Sequence, residues 1–442
     1  MNKLTKRWQI FLYGCAGFGI NMLNLIVGSY LCSALIKDGF EEHVESWTYL
    51  NKNLVIAGVW SVLVLVAKIV DGLIDIPMSS LTDNLKTKWG RRRPAILIGI
   101  APMLAAYLLF LKPLNSEASL ANTIWFAALL CIFYSFYTLT MVTYYSTFAE
   151  IVDNDGDRLF LANVKSVCDV IYFILGYALI PVFVGMDINI RTVALMFLPL
   201  SLTMIIPFLL IKEHRTDIEP VERDPGDAKG VGIVSSFTRS FKNKSFVYWL
   251  CVVFVMNIGL QLFLSGINEF FSKTGINMTI VMACSFAPVP ATILLYNLIV
   301  RKKGLKLGFQ YIMLVFAAAM LLMFFCIRLP KGSVQLSVIG AVGGIIASFA
   351  IGAFFSISYT VPSQLAAEEN LRTGICASSM YFAVEGLFEG VSAGLASGPL
   401  LTWLKVHEQT SLITVIVAFF CLAAFVMSFF LPRNIAELGR DK

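Results

Sequence analysis

The sequence is poor in charge, in histidine and in paired cysteines. Only 14% of its 442 residues are charged, whereas soluble domains carry about 25%. A soluble protein of this length needs more charge to cover its surface, so the composition excludes a soluble enzyme, a nucleic-acid-binding protein and a disordered chain. The net charge of +6 does not indicate a nucleic-acid partner, because the basic residues fall in short loops between apolar runs. The remaining class is the integral membrane proteins.

Cysteine and histidine supply no catalytic or metal-binding pattern. The nine cysteines lie inside apolar runs, none forms a CxxC pair, and no histidine lies near them. We therefore expect reduced cysteines that behave as small hydrophobic residues. No nucleophile with a neighbouring base stands out, so the sequence predicts a protein that is not an enzyme and has no cofactor. The three histidines all lie in predicted loops, at His43, His214 and His407.

Long apolar runs dominate the chain instead. A membrane helix needs about 20 mostly apolar residues, and twelve segments of this chain meet that requirement. The sequence therefore predicts an all-α integral membrane protein with twelve transmembrane helices. The predicted spans are 9–36, 53–80, 94–112, 121–150, 160–184, 191–212, 246–271, 277–300, 308–328, 333–362, 374–403 and 410–431.

The longest polar stretch, residues 213–245, divides the runs into six and six. It contains prolines, glycines and charges of both signs, which are typical of a flexible linker. We predict an N-terminal six-helix bundle over residues 1–212, a cytoplasmic linker over 213–245 and a C-terminal six-helix bundle over 246–442. Two such halves resemble the major facilitator fold, in which substrate binds at the midplane between the halves.

The basic loops predict the orientation in the membrane. One follows the second span of each half, at residues 86–93 and 301–306. If all twelve runs cross the bilayer, both loops lie on one side, and an excess of lysine and arginine marks that side as cytoplasmic. We therefore expect both termini in the cytoplasm and a multi-pass monomer in the inner (plasma) membrane. Its predicted surroundings are the lipid bilayer, with no nucleic acid.

Charged residues inside the spans are expensive and need a reason. Away from their ends, the predicted spans contain five carboxylates and two lysines, which leaves an excess of three negative charges. Bound protons, bound metal cations, a cationic substrate or a wet cavity must offset this excess. The seven residues are Lys68, Asp71 and Asp75 in span two, Lys165 and Asp169 in span five, and Glu385 and Glu389 in span eleven.

The spacing in span two suits a small cation. Lys68, Asp71 and Asp75 are three and four residues apart, which puts them on one helix face. The two aspartates supply the hard oxygen ligands that small hard cations prefer, and their crowding equally suits a bound proton. The co-transported ion is therefore Na⁺ or H⁺, with Asp71 and Asp75 as the metal ligands if it is Na⁺. Lys68 replaces the cation when the site is empty.

Several motifs resemble one transporter family. Residues 71–77 (DGLIDIP) are followed by Asp83 and by residues 88–94 (KWGRRRP). Together they resemble the signature of the glycoside–pentoside–hexuronide:cation symporters, the family of the melibiose permease. Residues 157–165 (DRLFLANVK) entering span five, and residues 376–393 in span eleven, are similar to further family patterns. The resemblance covers the first half of the chain well and the second half loosely.

The resemblance implies roles for individual residues. Asp71 and Asp75 correspond to the family's cation-site carboxylates, and Lys165 stands where the family has a substrate-binding arginine. The acidic residue and arginines after span two hold the cytoplasmic gate in the general motif of this loop. The gating candidates are Asp83, Arg91 and Arg93.

Departures from the family pattern argue against melibiose as the substrate. Asn21 and Met141 stand where the melibiose permease has aspartates, and Glu389 stands where it has a lysine. Glu389 either pairs with a lysine as a structural partner or binds and releases a proton during transport. The candidates for substrate binding are Lys68, Lys165, Asn21, Tyr137, Asp169, Tyr381, Glu385 and Glu389.

These patterns predict a secondary active transporter. The first hypothesis is cation-coupled symport of a sugar, a glycoside or a related small solute by alternating access. The alternative is a transporter of the same fold for a lysolipid-like amphiphile or a cationic metabolite. In both cases the expected partners are a small-molecule substrate and the bilayer, and the first adds a monovalent cation or proton.

Overall fold

The computed structural model describes residues 4–37, 48, 50–84, 87, 89–90, 92–152, 155–212, 241–373 and 378–437. Within these ranges the regular structure is helical, and the only sheet-like pairing is an isolated bridge between Thr87 and Gly90. Most of the predicted linker, residues 213–240, lies outside the described residues.

Twelve long helices follow one another through the described ranges. They are α1 (Arg7–Leu35), α2 (Ala57–Asn84), α3 (Arg92–Phe110), α4 (Leu120–Ser146), α5 (Asp155–Ile174, continued by Leu175–Leu179 and Ile180–Gly185), α6 (Ile190–Leu210), α7 (Lys244–Thr274), α8 (Met278–Phe286 and Val289–Lys303), α9 (Leu305–Phe325), α10 (Val334–Thr373), α11 (Ser378–Leu395, continued by Ala396–Leu400 and Leu401–Val406) and α12 (Ile413–Ser428). We refer to α1–α6 as the N-terminal half and to α7–α12 as the C-terminal half.

Most of these helices are apolar enough to cross a membrane. Among the described residues ten pass on length and composition alone, and the two segments of α8 together make an eleventh. The long helix outside this apolar set is α11, which carries Glu385 and Glu389. The predicted set of twelve spans therefore has a helical counterpart for every member, with α11 the one that composition alone does not support.

Several helices depart from the regular spans that the sequence predicts. Helix α8 bends by 41° where Pro288 precedes its second segment, because proline removes a backbone donor and clashes with the preceding turn. Helix α10 extends to Thr373, beyond the predicted end at residue 362. Helix α1 becomes a π-helix over Ile26–Leu31 and a 3-10 helix over Ser33–Leu35.

The two halves meet closely along α2 and α11. A Cβ atom on Gly72 would lie 2.8 Å from the carbonyl oxygen of Gly386, and one on Gly390 would lie 2.7 Å from the carbonyl oxygen of Lys68. Only glycine permits this approach, as at other close helix contacts in membranes. The interface therefore brings the backbone around Lys68 directly against the C-terminal half.

The ends of α1, α7 and α11 meet at one end of the bundle, where Ser33, Glu269 and Lys405 are in contact. The starts of α1 and α7 consequently lie together at the opposite end. We call the first the far end and the second the termini end.

Candidate functional site

A cavity of about 210 Å³ lies between the two halves. Helices α1, α2, α4 and α5 line it from one side, and α7 and α11 line it from the other. Its polar lining residues are Asn21, Asn24, Ser29, Ser33, Lys68, Gln261, Ser265, Ser397, Thr402 and Lys405, and its aromatic ones are Trp60, Tyr134, Tyr172, Phe173 and Tyr177.

Irregular helix segments border this cavity. The π-helical turns of α1, α5 and α11 each contribute a lining residue, namely Ser29, Tyr177 and Ser397. Such turns occur frequently at functional sites, because the extra residue redirects side chains and frees backbone groups. The chain therefore leaves regular α-helix on three sides of one cavity.

Lys68 lies at the cavity wall beside Asp71. Its Nζ is 3.5 Å from Asp71 Oδ2 and 3.7 Å from the centre of the Tyr134 ring on α4. The other carboxylate oxygen, Oδ1, accepts from the Thr138 hydroxyl, also at 3.5 Å. The side chains of Lys68 and Asp71 are 21% and 24% exposed. Their contacts are long for charged partners, so this pair is loosely held.

A second cluster joins α1, α4 and α5. Lys165 Nζ lies 2.5 Å from Asp169 Oδ2, and Asn21 Nδ2 donates to Asp169 Oδ1 at 3.4 Å. The hydroxyl of Tyr137 donates to Asn21 Oδ1 at 3.0 Å, and Asn21 Nδ2 lies 3.5 Å from the Tyr145 hydroxyl. Because Asn21 lines the cavity, this network reaches the cavity wall through its amide. Five polar residues of three helices are thus joined in one network.

Three predicted substrate-binding residues of α11 do not line the cavity. Tyr381 is buried, and its hydroxyl accepts from Asn243 Nδ2 at 3.1 Å near the start of α7. Trp249 Nε1 donates to Glu385 Oε1 at 3.1 Å inside the C-terminal half. Glu389 is partly exposed and is likewise absent from the cavity wall. The sequence shows that α11 carries charged residues, but it does not show which of their side chains point into the cavity.

The structure describes the predicted gating and cation residues only in part. The side chains of Asp75 and Asp83 on α2, and all of Arg91, lie outside the described residues. Arg93 Nε donates to the carbonyl oxygen of Phe208 at 2.9 Å, and its guanidinium carbon lies 4.5 Å from the centre of that ring. Arg93 therefore ties α3 to the end of α6 within the N-terminal half.

The structure also contains a buried ion pair that the sequence did not predict. Glu269 of α7 lies 3.3 Å from Lys405 of α11, with side-chain exposures of 0% and 3%. Lys405 Nζ donates to the carbonyl oxygen of Ser33 at 2.7 Å and lies 3.2 Å from its hydroxyl. That hydroxyl donates to Glu269 Oε1. The sequence did offer one sign of this pair, because Glu269 is a charged residue near the end of an apolar run. Its partner Lys405, however, lies beyond the predicted end of span eleven at residue 403.

The chain matches a known protein family over nearly its whole length. A profile of the MFS/sugar transport protein family matches residues 12–434. The chain belongs to this family. It is therefore a multi-pass membrane transporter of the major facilitator superfamily (MFS) and not an enzyme. No curated protein sequence matches it.

Solved structures share the transporter's fold. A variant of the nucleoside transporter NupG is similar with a TM-score of 0.64 and 15% identity, over 96% of this chain and 99% of that one. A D-xylose-proton symporter is similar with a TM-score of 0.63 and 15% identity, over 97% and 98%. A POT family transporter in complex with 5-aminolevulinic acid follows with a TM-score of 0.60 and 13% identity, over 96% and 94%. At these identities the likeness establishes the fold alone.

Proposed function

We propose that this MFS transporter is a cation-coupled symporter of a sugar, a glycoside or a related small solute. The observation that carries the proposal is the loosely held pair of Lys68 and Asp71 beside a cavity that both halves line. The motif that contains Asp71 resembles the cation site of the melibiose permease family. A secondary transporter needs a charged site that changes partners during the cycle, and a loosely held pair suits that role.

The cavity lining suits a solute with many hydroxyl groups. Amides of Asn21, Asn24 and Gln261 offer donors and acceptors from both halves. Rings of Trp60 and Tyr172 offer flat apolar surface against which the C–H face of a sugar ring packs. Binding sites of this kind combine apolar walls with a few polar groups that fix orientation.

Cation coupling follows from competition at Asp71. An incoming Na⁺ or proton displaces the Lys68 ammonium from the carboxylate, because both neutralise the same charge. Lys68 keeps its contact with the Tyr134 ring, 3.7 Å away, and becomes available to the solute. Binding of the cation then raises affinity for the solute, and by thermodynamic linkage the solute raises affinity for the cation. Asp75 completes the carboxylate pair in this proposal.

Transport in this proposal is alternating access by a monomer, with the solute bound in the cavity between the halves. Asp83, Arg91 and Arg93 act at the termini end, where they connect helix ends and bias the carrier between its two states. In this proposal the protein lies in the inner (plasma) membrane. Its termini end faces the cytoplasm, because both basic loops are predicted on that side. Glu389 is either a structural partner or an additional proton site.

The lining favours a sugar over the alternative substrates. Among the described lining residues Lys68 and Lys405 carry charge and no carboxylate does, which disfavours a cationic metabolite. Polar side chains face the cavity from both halves, which disfavours the acyl chain of a lysolipid. The anionic and neutral sugars remain as the better fit.

The direct test uses purified transporter and two panels of ligands. Binding of sugars and glycosides, and separately of lysolipids, is measured with Na⁺, without Na⁺, and between about pH 5 and 8, the range that brackets physiological titration. We expect at least one sugar or glycoside to bind, with an affinity that rises with Na⁺ or with proton concentration. Binding of lysolipids alone, or sugar binding that ignores both cations, would contradict the proposal.

A further inference from the structure

Bonds between the two halves cross the far end of the cavity. Ser33 belongs to α1, whereas Glu269 and Lys405 belong to α7 and α11. The carbonyl oxygen of Ser33 accepts from Lys405 Nζ at 2.7 Å. The Ser33 hydroxyl contacts both Lys405 and Glu269. One short segment of the N-terminal half is thereby bound to a buried ion pair of the C-terminal half.

Two further hydrogen bonds cross between the halves near this cluster. Asn268 Nδ2 donates to the carbonyl oxygen of Ser29 at 3.1 Å, and the Tyr177 hydroxyl donates to the carbonyl oxygen of Leu264 at 3.2 Å. Together these bonds fasten α7 to α1 and α5. They involve polar side chains and backbone oxygens, which exchange readily for water once a gap forms.

The cluster has a physical reason to open as well as to close. Glu269 is fully buried, and within the described part of the chain its Oε2 has no hydrogen-bond partner. A dry carboxylate oxygen is unfavourable even when its charge is paired. If α1 moves away, water reaches both charges and offsets the lost bonds to Ser33. Opening therefore costs less free energy than the loss of the bonds to Ser33 alone would require.

We propose that Ser33, Glu269 and Lys405 form a far-end latch that seals the cavity while it is closed and opens it when Ser33 separates from the ion pair. Ser33 and Lys405 both line the cavity, so their separation opens the cavity itself and not only a surface crevice. The Glu269–Lys405 pair stays together on the C-terminal half throughout. The inference rests on the alternating access of the proposed function, but on neither the sugar nor the cation.

The test measures access to the cavity from each side of the membrane. Ser397→Cys places a reporter thiol on the cavity wall, in a chain whose native cysteines are replaced by serine. A membrane-impermeant methanethiosulfonate is applied to each face separately. Ser33→Ala removes the hydroxyl contacts but leaves the ion pair intact, so the fold should persist. We expect labelling about tenfold faster from the far-end face, the effect of losing one hydrogen bond to a charged group, and slower labelling from the other face.

A matched lysine provides the control. Lys273 lies on the same helix end as Glu269, and its Nζ donates to the carbonyl oxygen of Glu408, at 3.3 Å, within the C-terminal half. Lys273→Met should leave both labelling rates unchanged. The paired substitution of Glu269→Gln with Lys405→Met removes both charges together and should shift the two rates in the same directions as Ser33→Ala.

Two outcomes would overturn the latch. Rates unchanged on both faces in Ser33→Ala and in the paired variant, which also removes the Lys405 bond to the Ser33 carbonyl oxygen, would mean that Ser33 does not hold the far end closed. Rates raised on both faces would mean general loosening. The labelling needs neither a solute nor a gradient, so it separates this inference from the proposed function. A lipid carrier with a latch would still show the reciprocal shift, and a sugar symporter without one would bind sugar and show none.

Discussion

The ion pairs inside the long helices of the two halves differ in burial and in reach. In the N-terminal half Lys68–Asp71 and Lys165–Asp169 each lie on one helix, with side-chain exposures between 21% and 31%. In the C-terminal half Glu269–Lys405 joins two helices at exposures of 0% and 3%. A partly exposed pair within one helix exchanges partners without moving the backbone. A buried pair between helices breaks only when the helices separate.

This difference indicates that the two halves have separate roles in transport. In the proposed function a cation or a solute competes for the charges of the N-terminal pairs, whose partial exposure suits binding and coupling. The C-terminal pair is buried and is bonded to Ser33 of the opposite half, which suits control of the far end. Substitutions in the C-terminal pair should therefore lower stability, and substitutions in the N-terminal pairs should lower transport.

The largest expected effect is loss of stability in Lys405→Met. The substitution leaves Glu269 buried without its cation, and breaking a buried pair in this way costs about 3–5 kcal/mol. Thermal unfolding of the purified protein measures the loss. Adding Glu269→Gln to the same chain should restore most of it, because no unpaired charge remains. A single variant as stable as the wild type would show that the pair is not the buried, locked contact described here.

Lys165→Met should lower transport strongly and stability only slightly. Its charge lies 2.5 Å from Asp169 in a partly exposed pair, so the free energy of unfolding should fall by about 1 kcal/mol or less. Transport should fall about tenfold or more, because a hydrogen bond to a charged group is lost from the network that reaches the cavity through Asn21.

The control for Lys165 is Lys52→Met, at an exposed pair with Glu117 away from the cavity. It should leave both stability and transport unchanged. Lys165→Arg should recover part of the transport, since the charge is kept. If Lys165→Met keeps full transport while losing stability, the contrast between the two halves fails.

Asn21→Ala tests the network around the second pair. The amide accepts from Tyr137 at 3.0 Å and donates towards Asp169 at 3.4 Å. Its removal should raise the KM for the solute about three- to tenfold, the range of one or two modest hydrogen bonds, with a smaller effect on the maximal rate. Initial-rate uptake over a range of solute concentrations measures both. An unchanged KM would remove Asn21 from the binding network.

Glu385→Gln should have the smallest effect. Glutamine keeps the carbonyl oxygen that accepts from Trp249, and Glu385 Oε2 has no hydrogen-bond partner among the described residues. Stability should stay within about 1 kcal/mol of the wild type or rise, because a poorly partnered buried carboxyl is removed. Uptake should stay near the wild-type rate. A large loss of uptake would return Glu385 to the substrate site.

Local spacing explains which parts of the site the sequence could predict. Lys68 and Asp71 are three residues apart, and Lys165 and Asp169 are four apart, so helical geometry alone brings each pair together. The long apolar runs likewise predict the helices of the fold, and the polar stretch at 213–245 predicts where the halves divide.

Contacts between helices explain what the sequence could not predict. Glu269 and Lys405 meet because α7 and α11 end side by side next to Ser33, a fact that no spacing encodes. The faces of Tyr381 and Glu385 depend on how α11 packs against α7. The predicted end of span eleven at residue 403 excluded Lys405, whereas the helix continues to Val406.

The most direct test of the account is solute accumulation by Asp71→Asn in proteoliposomes under an imposed Na⁺ or proton gradient. The variant should lose accumulation against the gradient and fall to equilibrium, because asparagine cannot exchange the Lys68 ammonium for a cation. It should still exchange internal for external solute, since the cavity remains. Glu117→Gln, at the exposed pair with Lys52, is the matched control and should accumulate normally. If Asp71→Asn accumulates solute as well as the wild type does, the coupling site lies elsewhere and the proposed division between the two halves is wrong.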